Sequence, residues 1–185
     1  MPVTVEQEVK LRFKDAGEAR RAVISTGGAP LHSRRLQEDS LLDTPNGELR
    51  RRRSTMRLRT DSGRSILTFK GPVQPSALKV REEIETVVED GEVLLRLLAE
   101  LGFAVWFRYE KYREEFAYED ATIAIDETPV GTFVEIEGTD HGVAAAARAL
   151  GREPGDYIRH SYRELFVHYW ADRDRSPTNM LFERE

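Results

Sequence analysis

The stretch VTVEQEVKLRF, residues 3–13, decides how the rest of the chain is read. Val3, Val5, Val9, Leu11 and Phe13 occupy one parity, Glu6, Glu8 and Lys10 the other, and only Gln7 breaks the alternation. Side chains two apart lie on the same face of a strand, so this is a β-strand with one apolar and one charged face. The same spacing returns at Arg57 and Arg59, at Arg81, Glu83 and Glu85, at Lys111 and Arg113, and at Glu135 and Glu137. Five segments thus share one habit.

A single strand of this kind is what an antiparallel sheet with one face in water produces. Here, however, acids and Arg or Lys recur with almost no neutral polar residue between them. The helices need an apolar face to cover, which assigns the charged parity to the opposite face. If the sheet closes into a barrel of about eight strands, that parity points inward. Unpaired ions crowded in an interior cost several kcal/mol each, roughly, so the interior must be wet or filled by an ion-rich ligand. A polyanion with divalent cations satisfies both signs, since carboxylates bind hard cations while Arg and Lys bind phosphate oxygens. The expected fold is α+β, a closed antiparallel barrel with helices packed outside.

Working outward, Lys14–Thr26 reads as a helix with Asp15 near its start and Gly27 and Gly28 as its stop. Leu31–Thr44 reads as a strand ending at the turn Pro45-Asn46-Gly47. Met56–Thr60 and Ser65–Lys70 form a hairpin around Asp61-Ser62-Gly63. Leu78–Val88 is a further strand. Asp90–Leu101 is an amphipathic helix carrying Val93, Leu94, Leu97, Leu98 and Leu101 on its apolar stripe and stopped by Gly102. Three strands follow, Phe103–Tyr118, Ala121–Asp126 and Thr132–Glu137, then helices over His141–Leu150 and Ser161–Tyr169. The polar run after Trp170 contains one apolar patch, Met180-Leu181-Phe182, and reads either as packed on the barrel or as frayed.

A chain of 185 residues suits one domain. Its net charge of −5 argues against nucleic acid as the main partner, and the clustering of Arg50 to Arg53, Arg57 and Arg59 argues for an anion site. Cysteine is absent, so any metal must use oxygen or His ligands. The charged N-terminus lacks the apolar core of a signal peptide and no run reaches membrane-spanning length, so the expected location is cytoplasmic, with no membrane partner.

With these features placed, the chain resembles the CYTH superfamily of triphosphate tunnel metalloenzymes, which includes class IV adenylyl cyclases, thiamine triphosphatases and tripolyphosphatases. The opening ExExK motif is Glu6-Gln7-Glu8-Val9-Lys10. In the family's order come Met56-Arg57-Leu58-Arg59, Leu67 to Pro72, Arg81 to Glu85, Glu110 to Arg113, Ile125-Asp126-Glu127, Gly131 to Glu137 and Ser161 to Leu165. The resemblance implies a tunnel domain over residues 1–170 followed by a tail over 171–185. It implies that Glu6, Glu8, Glu83, Glu85, Asp126, Glu135 and Glu137 hold Mg²⁺ or Mn²⁺. Lys10, Arg57, Arg59, Lys70, Arg81, Lys111 and Arg113 would hold phosphates, and Glu6, Glu8, Lys10 and Glu137 would be catalytic. Leu41 departs from the Tyr that relatives often carry, and the late Lys of thiamine triphosphatases has no clear match, although Arg159 and Arg163 lie in the same general region.

Other features favour plainer readings. Arg50 to Arg53 reads as a solvated patch rather than an entrance, and His32, His141, His160 and His168 lack metal-ligand spacing. Trp106, Phe107, Tyr109 and Tyr112 read as packing, while Asp39 and Asp43 are left open. The expected function is a divalent-metal-dependent phosphohydrolase acting on tripolyphosphate, a nucleoside triphosphate or thiamine triphosphate. The alternatives are an adenylyl cyclase releasing cyclic AMP and pyrophosphate, and a non-catalytic binder of polyphosphate or nucleotide. The expected partner is a triphosphate-bearing small molecule, with a homodimer left open.

Overall fold

The structure, a computed structural model, describes residues 4–173 and 177–184. Val3, expected at the start of the first strand, lies outside them. Eight strands run β1 (Thr4–Phe13), β2 (Ala29–Asp43), β3 (Thr55–Asp61), β4 (Arg64–Lys70), β5 (Lys79–Val88), β6 (Ala104–Tyr118), β7 (Ala121–Thr128) and β8 (Gly131–Gly138). They close into a barrel in the order β1-β5-β4-β3-β2-β6-β7-β8, and every pairing is antiparallel.

The alternation in β1 sets the two faces. Val9, Leu11 and Phe13 point outward into a cluster with Phe116, Ile123, Ile125, Val134 and Ile136. This cluster is covered by α1 (Ala16–Ser25), through Ala19 and Val23, and by α4 (Asp140–Ala149), through Val143, Ala146 and Ala147. Each helix starts at a side-chain cap: Asp15 accepts from Glu18 N at 2.8 Å, and Thr139 accepts from Gly142 N at 3.0 Å. Gly27, at φ +92°, ends α1 in the left-handed conformation that its missing Cβ permits. A second outer cluster, around Leu42, Leu58 and Leu98, is covered by α3 (Gly91–Glu100), capped by Asp90.

The last helix, α5 (Tyr162–Trp170), sits differently. Ser161 and Glu164 form a reciprocal capping box at its start. Its Tyr162, Leu165 and Phe166 pack on Leu41, Phe107, Tyr109 and Phe133. Leu41, Tyr109 and Phe133 share the inward parity of their strands, so α5 lies across one end of the barrel. Met180 completes that cluster: its backbone pairs with β6 through Met180 N to Arg108 O at 3.0 Å and Glu110 N to Met180 O at 2.9 Å. β7 pairs with β6 only from Tyr112 onward, so residues 179–182 occupy an edge of β6 that β7 leaves open. Two short elements were not expected. One is α2 (Glu48–Arg51), which follows the Pro45-Asn46-Gly47 turn, and the other is the single 3₁₀ turn Pro154–Asp156; both are too short to show a period.

Candidate active site

All eight strands bring a charged or polar side chain to the interior, and the register sets who faces whom. Glu6 lies opposite Arg81, and Glu8 lies between Lys79 on β5 and Glu137 on β8. Lys10 lies opposite Glu135. Lys70 pairs with Glu83, Asp39 with Arg59, and Arg113 with Asp126. Apart from Asp39 and Asp126, these side chains line a cavity of about 1310 Å³ that holds thirteen of the fourteen residues expected to bind metal or phosphate; Asp126 is the exception.

The interior is a web of alternating ions. Lys10 Nζ stands 3.1 Å from Glu8 and 2.9 Å from Glu135. Lys70 contacts Glu6 and lies 2.8 Å from Glu83, and Arg81 reaches Glu6 at 3.3 Å. Arg59 and Arg57 share Asp39, at 2.9 and 3.4 Å. Glu85 is exposed; it accepts from Thr68 at 2.9 Å and stands 4.0 Å from Arg57. Burial works against ionisation of Glu8, but Lys10 and then Lys79 outweigh it and hold its carboxyl well below the usual range. Burial likewise opposes charge on Lys10, yet Glu135 and Glu8 keep its pKa raised.

Asp126 is placed differently from the expected metal ligands. It is fully buried behind the cavity wall, and its oxygens accept from Lys111 at 2.8 Å, from Arg113 at 2.7 and 2.6 Å, and from Tyr162 at 2.5 Å. A carboxylate with four donors already in place is an anchor for two phosphate-directed cations, not an open oxygen donor. Burial, followed by Arg113, pushes the Lys111 pKa down to about 8 despite this carboxylate.

Glu137 is the opposite case. Among the described residues it makes no side-chain hydrogen bond or ion pair, and it faces Glu8 directly across the β1–β8 ladder. Burial, then Glu6, pushes its pKa up to about 7, with Glu8 and Glu135 adding to the rise. The residue is exposed by surface area, yet it lines both the main cavity and a smaller one of about 510 Å³. Its carboxylate therefore meets water while crowded by acids. Like charges directly opposite in a sheet are destabilising, and a divalent cation shared by Glu8 and Glu137 would reverse that sign. The donor set, carboxylate oxygens without thiolate or imidazole, suits Mg²⁺ or Mn²⁺. Among the described residues no three such groups already converge on one point, because lysines stand between them.

Four interior residues outside the expected set bear directly on these ions. Lys79 is buried, contacts Glu8, and has its pKa lowered to about 8, first by burial. Its parity with Arg81, Glu83 and Glu85 was a usable signal. Asp39, left open by the sequence, holds Arg57 and Arg59. Tyr162 places its ring 5.1 Å from Lys10 Nζ and 4.9 Å from Lys111 Nζ, and Tyr109 is buried within the cavity wall. Asp43, also left open, is structural: it accepts from Thr44 N, Leu49 N, Arg50 N and Arg50 Nε and so pins α2. This turns Arg50 and Arg53 onto the cavity rim beside Trp106, while Arg51 and Arg52 face solvent. The basic run is therefore half entrance and half solvated surface.

Comparison with known proteins agrees with this architecture. The family model described as CYTH domain matches residues 5–162. A Methanocaldococcus jannaschii protein named "Putative adenylate cyclase" is 27% identical over 172 residues, spanning 87% of this chain and 98% of its own. The Pyrococcus horikoshii PH1819 structure is 28% identical, with a TM-score of 0.73 over 88% of this chain and 98% of that one. A Hippeastrum protein has the same fold at 18% identity, with a TM-score of 0.63 over 89% of this chain and 95% of its own; it is described as a "putative adenylyl cyclase" with a dominant triphosphatase activity. Among the described residues no helix is long and apolar enough to cross a membrane.

Proposed function

The chain belongs to the CYTH domain family, and from that premise we propose that it is a divalent-metal-dependent hydrolase of a linear triphosphate bound along the barrel axis. The observation that carries this reading is the interior ion web: cations and carboxylates from six of the eight strands line one cavity large enough for a small polyanion, with Asp39 of β2 and Asp126 of β7 bonded to them from behind. Arg57, Arg59, Lys70, Arg81, Lys111, Arg113 and Lys10 are the phosphate-binding set, and the register adds Lys79. Their carboxylate partners serve as stand-ins that keep each cation in place without substrate.

Glu6, Glu8, Glu83, Glu135 and Glu137 would hold the metal. Bound there, it would neutralise phosphate oxygens and acidify a water. Were those carboxylates engaged by a metal, Lys10, Lys70 and Lys79 would be freer to face phosphate oxygens, which they also attract in its absence. Asp39 and Asp126 stay with their arginines and keep those guanidiniums aimed at the cavity. Charge developing on the substrate would thus meet donors already positioned, so little reorganisation is required. Tyr162 packs against both Lys10 and Lys111 and limits where their ammonium groups can go.

The name of the archaeal relative favours a second reading, cyclisation of ATP. The Hippeastrum protein supports hydrolysis as a reaction that this fold can house. Incubating the protein with Mg²⁺ or Mn²⁺ and, separately, tripolyphosphate, ATP and thiamine triphosphate distinguishes them once products are resolved. Phosphate release supports hydrolysis, cyclic AMP with pyrophosphate replaces it with cyclisation, and no product with any substrate leaves a binding module.

A further inference from the structure

Cations in the main cavity are of two kinds. Those of the inner web face carboxylates, whereas Arg163, one residue beyond Tyr162, lines the same cavity with no carboxylate partner among the described residues. Its guanidinium lies 4.9 Å from the Phe107 ring, 5.7 Å from Phe166 and 5.8 Å from Trp106. Nε and Nη1 are buried against this aromatic floor and have no hydrogen-bond partner among the described residues. The charged neighbour that acts on it is another cation, Arg50, whose guanidinium lies 4.3 Å from the Trp106 ring; burial and then Arg50 lower the Arg163 pKa.

Cation–π contact offsets part of the cost of such a pair, but it supplies no negative charge. Nearby acids are engaged elsewhere: Asp43 holds Arg50 and the start of α2, and Glu164 closes the capping box with Ser161. Tyr162, the preceding residue of α5, sets its ring against Lys10 and Lys111, whereas Arg163 rests on Phe107, Phe166 and Trp106, so the two residues reach different parts of the cavity wall. A polyanion emerging past Tyr162 would meet Arg163 next.

We propose that Arg163, with Arg50 beside it on Trp106, forms a second oxyanion subsite at the cavity mouth that takes a phosphate-type group. This rests on the reading that the inner web holds phosphates. The group is either the next phosphate of a chain longer than three or a separate phosphate ion. Arg163 serves here as a substrate-selecting residue and has no part in the reaction itself.

Titration calorimetry without divalent metal, where no turnover intervenes, tests this. The probes are tripolyphosphate, tetrapolyphosphate, and inorganic phosphate added to protein saturated with tripolyphosphate. The proteins are the wild type, Arg163→Met, Arg163→Lys and, as an inner-web control, Arg57→Met, each checked for an unchanged circular dichroism spectrum. Loss of one charge-assisted contact predicts that Arg163→Met binds tripolyphosphate within about twofold of wild type but loses about tenfold or more at the second subsite. Arg163→Lys should recover part of that loss. Tighter binding of tetrapolyphosphate that depends on Arg163 identifies the far end of one ligand, and Arg163-dependent phosphate binding to the loaded protein identifies a separate ion. If neither signal depends on Arg163, the subsite is refuted. If Arg57→Met leaves tripolyphosphate binding unchanged, it is the inner-web reading that fails. Arg163 is then judged on inorganic phosphate alone, with dependence supporting the subsite and independence refuting it.

Discussion

Replacing Asp126 by Asn separates an anchoring role from a metal-ligand role at one position. The carboxylate is fully buried and accepts from Lys111 at 2.8 Å, from Arg113 at 2.7 and 2.6 Å, and from Tyr162 at 2.5 Å. Asn keeps the shape but loses the charge, and its amide presents donors to groups that are themselves donors. Lys111 would be left with Glu135, and Arg113 with Glu135 and, at 3.9 Å, Glu115. Removing one partner of a buried ion pair costs about 3–5 kcal/mol. For a chain of this size each kcal/mol lowers Tm by about 2–4 °C, so a fall of about 6–20 °C is expected. Urea denaturation and thermal melting without metal read the effect, and Mg²⁺ titration reads the alternative. Metal-free stability within about 1 kcal/mol of wild type, with Mg²⁺ affinity lost, would refute the anchor assignment.

Other expectations follow from the same geometry. The Glu137 carboxyl has a pKa of about 7 in the folded state against 4.5 for the free group, so the folded protein holds the extra proton between those values. Metal-free stability therefore falls as pH rises from about 4.5 to about 7. Glu137→Gln should flatten that fall, raise Tm at pH 8 and abolish Mg²⁺ dependence; a lower Tm at pH 8 would contradict it. Lys79→Met should weaken tripolyphosphate about tenfold, as loss of one charge-assisted contact does, and unchanged affinity in calorimetry would remove Lys79 from the phosphate set. Ser161→Ala removes the α5 cap and should cost about 1 kcal/mol by urea denaturation, whereas no loss would show that α5 is held by packing alone.

The sequence showed the barrel through parity, because β1 and its neighbours carry one charged and one apolar face along almost their whole length. Register followed less directly: parity places Glu8 and Glu137 on the inner face, but only pairing shows them opposite each other. Lys79 has the right parity and was missed because it precedes the Arg81-x-Glu83-x-Glu85 pattern. Asp126 could not be told from a ligand, since Tyr162, one of its donors, comes from 36 residues away. The position of α5 across the barrel end, and of Met180 on the edge of β6, depends on long-range closure that leaves no local period.

A crystal structure of the protein with Mn²⁺ and a non-hydrolysable triphosphate tests the central claim most directly. An anomalous peak for manganese is expected among Glu6, Glu8, Glu135 and Glu137, with the phosphate oxygens bonded to Arg57, Arg59, Lys111 and Arg113. A triphosphate bound outside the barrel, or manganese held away from those carboxylates while the interior ion web stays intact, would contradict it.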